Sequence, residues 1–135
     1  MIRRLLAFCC AMLLLLCAAQ AENTYYARVD DEADLLTERE ETALRDAMEP
    51  LTEYGDVVFW STYARGTADT LAERYFDQKI SAQSDHPGVI FLIDMQSRTI
   101  CIFVRGTFEK RVGRSGAYAI TDKVYTYASK RDYLT

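Results

Sequence analysis

The segment Gly88–Gly106, GVIFLIDMQSRTICIFVRG, most narrows what this chain can become. Gly88 to Ile93 is an unbroken apolar run, the pattern of a strand covered on both faces. Asp94 ends the run, and Met95 to Arg98 has turn composition. Ile100, Ile102 and Val104 then alternate with Cys101, Phe103 and Arg105, the period of a second strand. Fully burying one Leu, Ile or Phe side chain is worth ~1.5–3 kcal/mol. The run therefore places this hairpin at the centre of the expected core. The polar residues at its ends, Asp94, Arg98 and Arg105, are where chemistry is expected.

A chain of 135 residues has room for one domain plus extensions. Its net charge of −4 argues against a nucleic-acid partner, which needs a basic face. Residues 1–21 read as a secretory signal peptide. Arg3 and Arg4 open it, Leu5 to Cys17 is apolar, and Ala19-Gln20-Ala21 is a small-residue cleavage pattern. The alternative is an uncleaved anchor, but the apolar run falls short of the ~20 residues that span a bilayer. A lipoprotein signal at Cys17 is disfavoured by Leu16, where a small residue belongs. Cleavage after Ala21 takes Arg3 and Arg4 from the 16 basic residues and leaves 14 against 20 acidic ones, a net charge of −6. It also leaves Cys101 as the sole cysteine, so no intramolecular disulfide forms. Between Ile100 and Ile102, Cys101 reads as a buried structural residue.

Thr37-Glu-Arg-Glu40 is a capping box opening a first helix. Ala43, Leu44, Ala47, Met48 and Leu51 mark its apolar face, and Pro50 is expected to end it near Glu49. Val57 to Thr62 is β-branched and aromatic, hence a strand. Thr67 caps a second helix, whose Leu71, Ala72, Tyr75, Phe76 and Ile80 keep helical spacing. After the hairpin, Thr107 to Gly116 reads as a glycine-punctuated loop, and a third helix follows from Ala117. A short strand near Tyr26–Val29 opens the order. The expected fold is an α/β layered sheet with helices on both faces. A parallel strand–helix–strand crossover runs from Val57 to Ile93, and an antiparallel hairpin completes the sheet.

Most site signatures are missing. Position six after Cys101 is Thr107, where a cysteine phosphatase loop needs Arg. No phosphate-cradling glycine loop, G-x-S-x-G elbow or aspartyl D-x-D pair occurs. The single histidine, His86, lies in a polar loop and reads as solvated. A set of carboxylates remains: Asp30, Asp31, Glu32, Asp34, Asp94, Glu109 and Asp122. Calcium takes six to eight oxygens from such groups, but Asp30 to Asp34 reads equally as a helix-capping cluster. Asp94 stands apart because it ends a central strand, where open α/β sheets bind ligands. Arg98 and Arg105 are candidates to pair with it or to hold an anion.

Val29-Asp-Asp-Glu-Ala-Asp-Leu-Leu-Thr37 resembles the V-x-D-x-A-x-L-L-S/T opening of the TPM domain family. The likeness continues through the Ala-x2-Tyr-Phe helix and the strand ending in Asp94. It reaches Arg105-Gly106-Thr-Phe-Glu109, similar to the family's G-x-G-x-E, and Asp132-Tyr133, similar to its G-D-Y. Phe108 stands where the second glycine of G-x-G belongs. The resemblance spans residues 26–135 and implies an α/β sandwich displayed outside the cytoplasm. A further C-terminal helix beyond this chain, often a membrane anchor, is expected with it. Some members are described as acid phosphatases, some bind calcium, and others assist membrane complexes without established catalysis. The resemblance puts Asp31, Asp94 and Glu109 at the acidic, metal-holding positions. The first functional expectation is an extracytoplasmic accessory module that binds an envelope or membrane protein, with calcium. The alternative is a metal-assisted phosphatase in which Arg98 or Arg105 stabilises developing charge.

Overall fold

The computed structural model describes residues 24–128; the expected signal peptide and the Asp132-Tyr133 motif lie outside them. Four strands form one sheet in the order β1 (Ala27–Asp31), β2 (Asp56–Thr62), β3 (Gly88–Asp94), β4 (Thr99–Arg105). β1–β2 and β2–β3 are parallel, and β3–β4 is the antiparallel hairpin, with Gly88 opposite Arg105 and Asp94 opposite Thr99. Helix α1 (Glu38–Met48) links β1 to β2, and α2 (Ala68–Tyr75) links β2 to β3. Helix α3 (Thr107–Ala128) follows β4. The architecture is the expected α/β layering.

Local chemistry sets the helix starts. Thr37 accepts from the Glu40 N–H at 3.3 Å, while Glu40 Oε2 accepts from the Thr37 N–H at 2.8 Å, so the capping box is complete. Pro50 falls in a 3-10 turn, Glu49–Glu53, that ends α1. The apolar face of α1 is narrower than its sequence pattern: Met48 is buried and Leu44 half-buried, while Ala43, Ala47 and Leu51 are exposed. Thr67 caps α2 through the Thr70 N–H, and Phe76–Ile80 continue the helix as a wider π turn.

Side-chain alternation divides the core between the two faces of the sheet. One face joins Val58, Trp60, Ile90 and Leu92 to Leu71, Ala72, Tyr75 and Phe76 from α2 and its extension. The other joins Val57, Phe59 and Ile93 to Leu36, Met48 and Phe108. The strand enclosed on both faces is β2, in which every residue is buried. β3 is covered fully on the α2 face, but Val89 and Phe91 are only half-buried. The centre of the core is thus the β2–β3 pair rather than the hairpin.

The segment Thr107–Gly116 is helical, not a loop. Glycine composition suggested a break, and one does occur at Gly113, whose backbone (φ 61°, ψ 173°) kinks the helix. Before that kink Phe108 is buried and Val112 packs beside it. Apolar packing on the sheet therefore outweighs the low helix propensity of the local sequence.

Gly106 is needed for two reasons. Its φ is +62°, and a Cβ there would lie 2.7 Å from the Asp85 carbonyl oxygen and 2.8 Å from Pro87 Cα. Gly113 has a similar φ of +61° but open space around it. Gly113→Ala is therefore expected to cost only the strain of a backbone region open essentially to glycine alone, roughly 1–3 kcal/mol. Gly106→Ala should cost clearly more, because backbone must also move. Urea unfolding of both variants checks this, and equal losses would refute the close approach.

Candidate functional site at the strand ends

The parallel strands end together in polar residues: Asp31 on β1, Ser61 and Thr62 on β2, and Asp94 on β3. Ser61, Thr62 and Asp94 are buried. Buried polar groups need partners, and here the connecting loops supply them. Ser61 Oγ donates to Asp31 Oδ1 and accepts from the Ala33 N–H at 3.1 Å. Asp31 Oδ2 accepts from the Leu36 N–H at 2.7 Å. Thr62 Oγ1 donates to Glu32 Oε2 at 2.9 Å and accepts from the Ala64 N–H at 3.1 Å. Asp94 Oδ1 accepts from the Gln96 and Ser97 N–H groups at 2.9 and 3.3 Å, and Asp94 Oδ2 from Ser97 Oγ at 2.5 Å. Asp31 thus pins the loop before α1 onto β2, and Asp94 organises the hairpin turn.

Asp31, Asp94 and Glu109 do not meet. Asp31 is in register with Ser61 and Ile93, whereas Asp94 is in register with Thr62. These positions alternate, so the two carboxylates belong to opposite faces of the sheet. β2 also lies between their strands, a separation of roughly 10 Å at ordinary strand spacing. Glu109 is exposed on the first turn of α3, which starts beside Arg105 and hence at the Gly88 end of β3. Among the described residues no three His, Cys, Asp or Glu side chains are grouped to hold a metal ion. Both oxygens of Asp31 and of Asp94 accept protein hydrogen bonds, and in this structure the three carboxylates do not converge on one point.

The arginines are also apart. Arg98 is exposed in the hairpin turn with φ 55°. Arg105 lies at the other end of β4. There it pairs with Asp77 at 2.7 Å and Glu73 at 3.9 Å, and its guanidinium stacks 4.6 Å from the centre of the Phe76 ring. It packs α2 to the sheet rather than facing Asp94.

Sequence reasoning missed two polar pairs. His86 Nε2 lies 2.7 Å from Asp56 Oδ2, and Asp56 also accepts from the Tyr26 N–H at 2.9 Å. The loop histidine is thus half-buried against the opposite end of β2. The Tyr75 hydroxyl donates to Asp30 Oδ2. Burial, then Asp30, pushes the Tyr75 pKa well above the usual tyrosine range. Each pair spans at least 30 residues of sequence, so no local spacing signals it.

Along the open side of β4 runs a groove of about 880 Å³ between the start of α2 and the outer part of α3. Cys101 lines it and is half-buried rather than enclosed. Its thiol lies 3.4 Å from Asp69 Oδ1. Burial, then Asp69, pushes the thiol pKa up to about 12.

A four-stranded mixed sheet with helices on both faces, its polar residues gathered where the parallel strands end, defines an open α/β sandwich domain. The TPM domain model matches residues 29–135, and the chain belongs to that family. No curated protein matches the chain. Within this fold Phe108, the departure from G-x-G-x-E, is the buried residue that seats α3 on the sheet.

Two outcomes follow. Ser61→Ala should strip a partner from Asp31 and from the Ala33 N–H, destabilising the domain by about 1–3 kcal/mol in urea unfolding; an unchanged midpoint would refute the lock. A raised thiol pKa leaves little thiolate at neutral pH. Labelling of Cys101 should therefore be far slower than that of a free cysteine at pH 8 and climb with pH beyond 10. A rate equal to that of the free thiol would contradict the environment described.

Proposed function

We propose that this TPM domain is an extracytoplasmic accessory module that binds an envelope or membrane protein, and that it does not hydrolyse phosphate esters. The observation that carries the reading is the use made of the strand-end carboxylates. Asp31 and Asp94 accept hydrogen bonds from the loops that follow their own strands. A phosphatase requires groups free to hold an ion, activate water or meet the phosphoryl oxygens. Glu109 and Arg105, the other residues of that reading, lie towards the far end of the sheet, where Arg105 is occupied by two carboxylates. The location rests on the signal-like N-terminus and on the family, whose domains typically stand outside the cytoplasm. No helix among the described residues is long and apolar enough to cross a membrane.

The test is turnover of a phosphomonoester by the purified protein, with and without magnesium, manganese or calcium. No turnover above the Asp94→Asn variant is expected; metal-dependent turnover that Asp94→Asn removes would establish the phosphatase instead. Thermal unfolding tests the ion separately. A ligand that binds only the folded state raises stability by RT ln(1 + [L]/Kd). Millimolar calcium is expected to leave the Tm unchanged, because the carboxylates are dispersed and hydrogen-bonded. A rise of several degrees that Asp94→Asn abolishes would place calcium at the strand ends.

A further inference from the structure

β4 is an edge strand, and the direction of its backbone groups follows from hydrogen bonds elsewhere in the sheet. The Met95 N–H donates to the Thr62 carbonyl at 2.8 Å, and the Asp56 N–H donates to the Pro87 carbonyl at 3.1 Å. The odd-numbered residues of β3 therefore face β2, and the even-numbered ones face β4. The register pairs Ile90 with Phe103 and Leu92 with Cys101, so Phe103 and Cys101 bond inward. The N–H and C=O groups of Ile100, Ile102 and Val104 consequently point away from the sheet. Among the described residues nothing pairs with them.

Edge strands are usually guarded by charge, proline, a bulge or shortness. The opposite edge, β1, has five residues and carries Arg28, Asp30 and Asp31. β4 has seven, TICIFVR, with no Pro or Lys and an unbroken register to β3. Its open side lies along the groove, flanked by Asp69 of α2 and by Glu109 and Gly113 of α3. Among the described residues the groove is lined by these two carboxylates and by no basic side chain.

We infer that the open edge of β4 takes up an extended segment of a partner protein bearing Lys or Arg, which adds a fifth strand to the sheet. This names the surface used under the binding-module reading and rests on it. Backbone pairing with Ile100, Ile102 and Val104 supplies the affinity, and the flanking carboxylates select basic side chains. A second copy of this chain is the weaker fit, since pairing β4 with β4 brings Asp69 and Glu109 of one groove against those of the other.

The test is fluorescence anisotropy of the purified protein with peptides of alternating Val and Lys, as long as the seven-residue edge. Saturable binding is expected, falling with salt. Asp69→Asn or Glu109→Gln should weaken it by about twofold to fivefold, the range of exposed ion pairs. N-methylating one alternate set of peptide residues should abolish binding, and methylating the other set should spare it, because only one set faces β4. That arm leaves the protein untouched, so unfolding cannot imitate it. Ile102→Pro, which removes one outward N–H and no bond to β3, is the matching change in the protein. Equal effects of the two methylation patterns, or equal binding of a Val–Glu peptide, would overturn the proposal. Dimerisation of the protein alone that Ile102→Pro abolishes would also overturn it, by making a second copy the occupant. None of these outcomes depends on phosphomonoester turnover, so failure here is distinguishable from failure of the underlying reading.

Discussion

The two-sided burial of β2 is the constraint from which the architecture follows. A strand with no exposed residue needs a neighbour on each edge and a covering layer on each face. β1 and β3 provide the edges. α2 covers one face through Leu71, Tyr75 and Phe76, and Met48 and Phe108 close the other from α1 and α3. The parallel neighbours can be joined only by crossovers, which places both connecting helices in sequence order. Val58 and Trp60 on one side and Val57 and Phe59 on the other are thus four adjacent residues that require two separate helical layers.

Burial of β2 continues to its last residues, and those are hydroxylic. Ser61 and Thr62 cannot reach water, and an unmet buried hydroxyl costs about 1–3 kcal/mol. Carboxylates at the end of β1 and in the loop after it resolve this: Asp31 for Ser61 and Glu32 for Thr62. The acidic run after β1 is therefore largely explained by the core beside it. It supplies acceptors where the sheet is polar and buried, and it leads into the Thr37 cap of α1. An acidic stretch in sequence thus becomes a structural seam once strand order is known.

Element identity was legible wherever pattern and end signals agreed. Thr37 and Thr67 mark helix starts because a side-chain oxygen meets a free N–H three residues on, a contact visible at short spacing. The Val57–Thr62 and Gly88–Asp94 strands followed from composition. Thr107–Gly116 was misread because Gly113 and Gly116 suggest a loop, while Phe108 and Val112 hold a helix through contacts distant in sequence. The same blindness applied to the site. Asp94 was correctly placed at a strand end, while the expected first strand stopped at Val29, short of Asp31; and alternation, which sets the two on opposite faces, depends on exact register. Arg105 looked available until the helix carrying Glu73 and Asp77 was folded against it.

The sheet treats its two edges differently, and the difference has a physical origin. β1 is short, and its side chains are spent on partners: Asp30 on Tyr75 and Asp31 on Ser61. The strand is charged as a consequence of holding its loop, and that charge also blunts the edge. β4 has no such duty at its exposed side. Its inward bonds complete β3, and Cys101 and Phe103 pack on the α2 core. The side chains of Ile100, Ile102 and Val104 alternate onto the other face, where Val104 packs on the α1 and α3 core, while their backbone groups line an edge that nothing else in the described fold covers. Residues of α2 and α3 flank that edge, so it lies in a groove rather than on a flat, open face. The fold thus leaves unpaired backbone in a confined, acidic groove while using its strand-end carboxylates internally. That division is the physical basis of the proposed recognition at the side of the sheet.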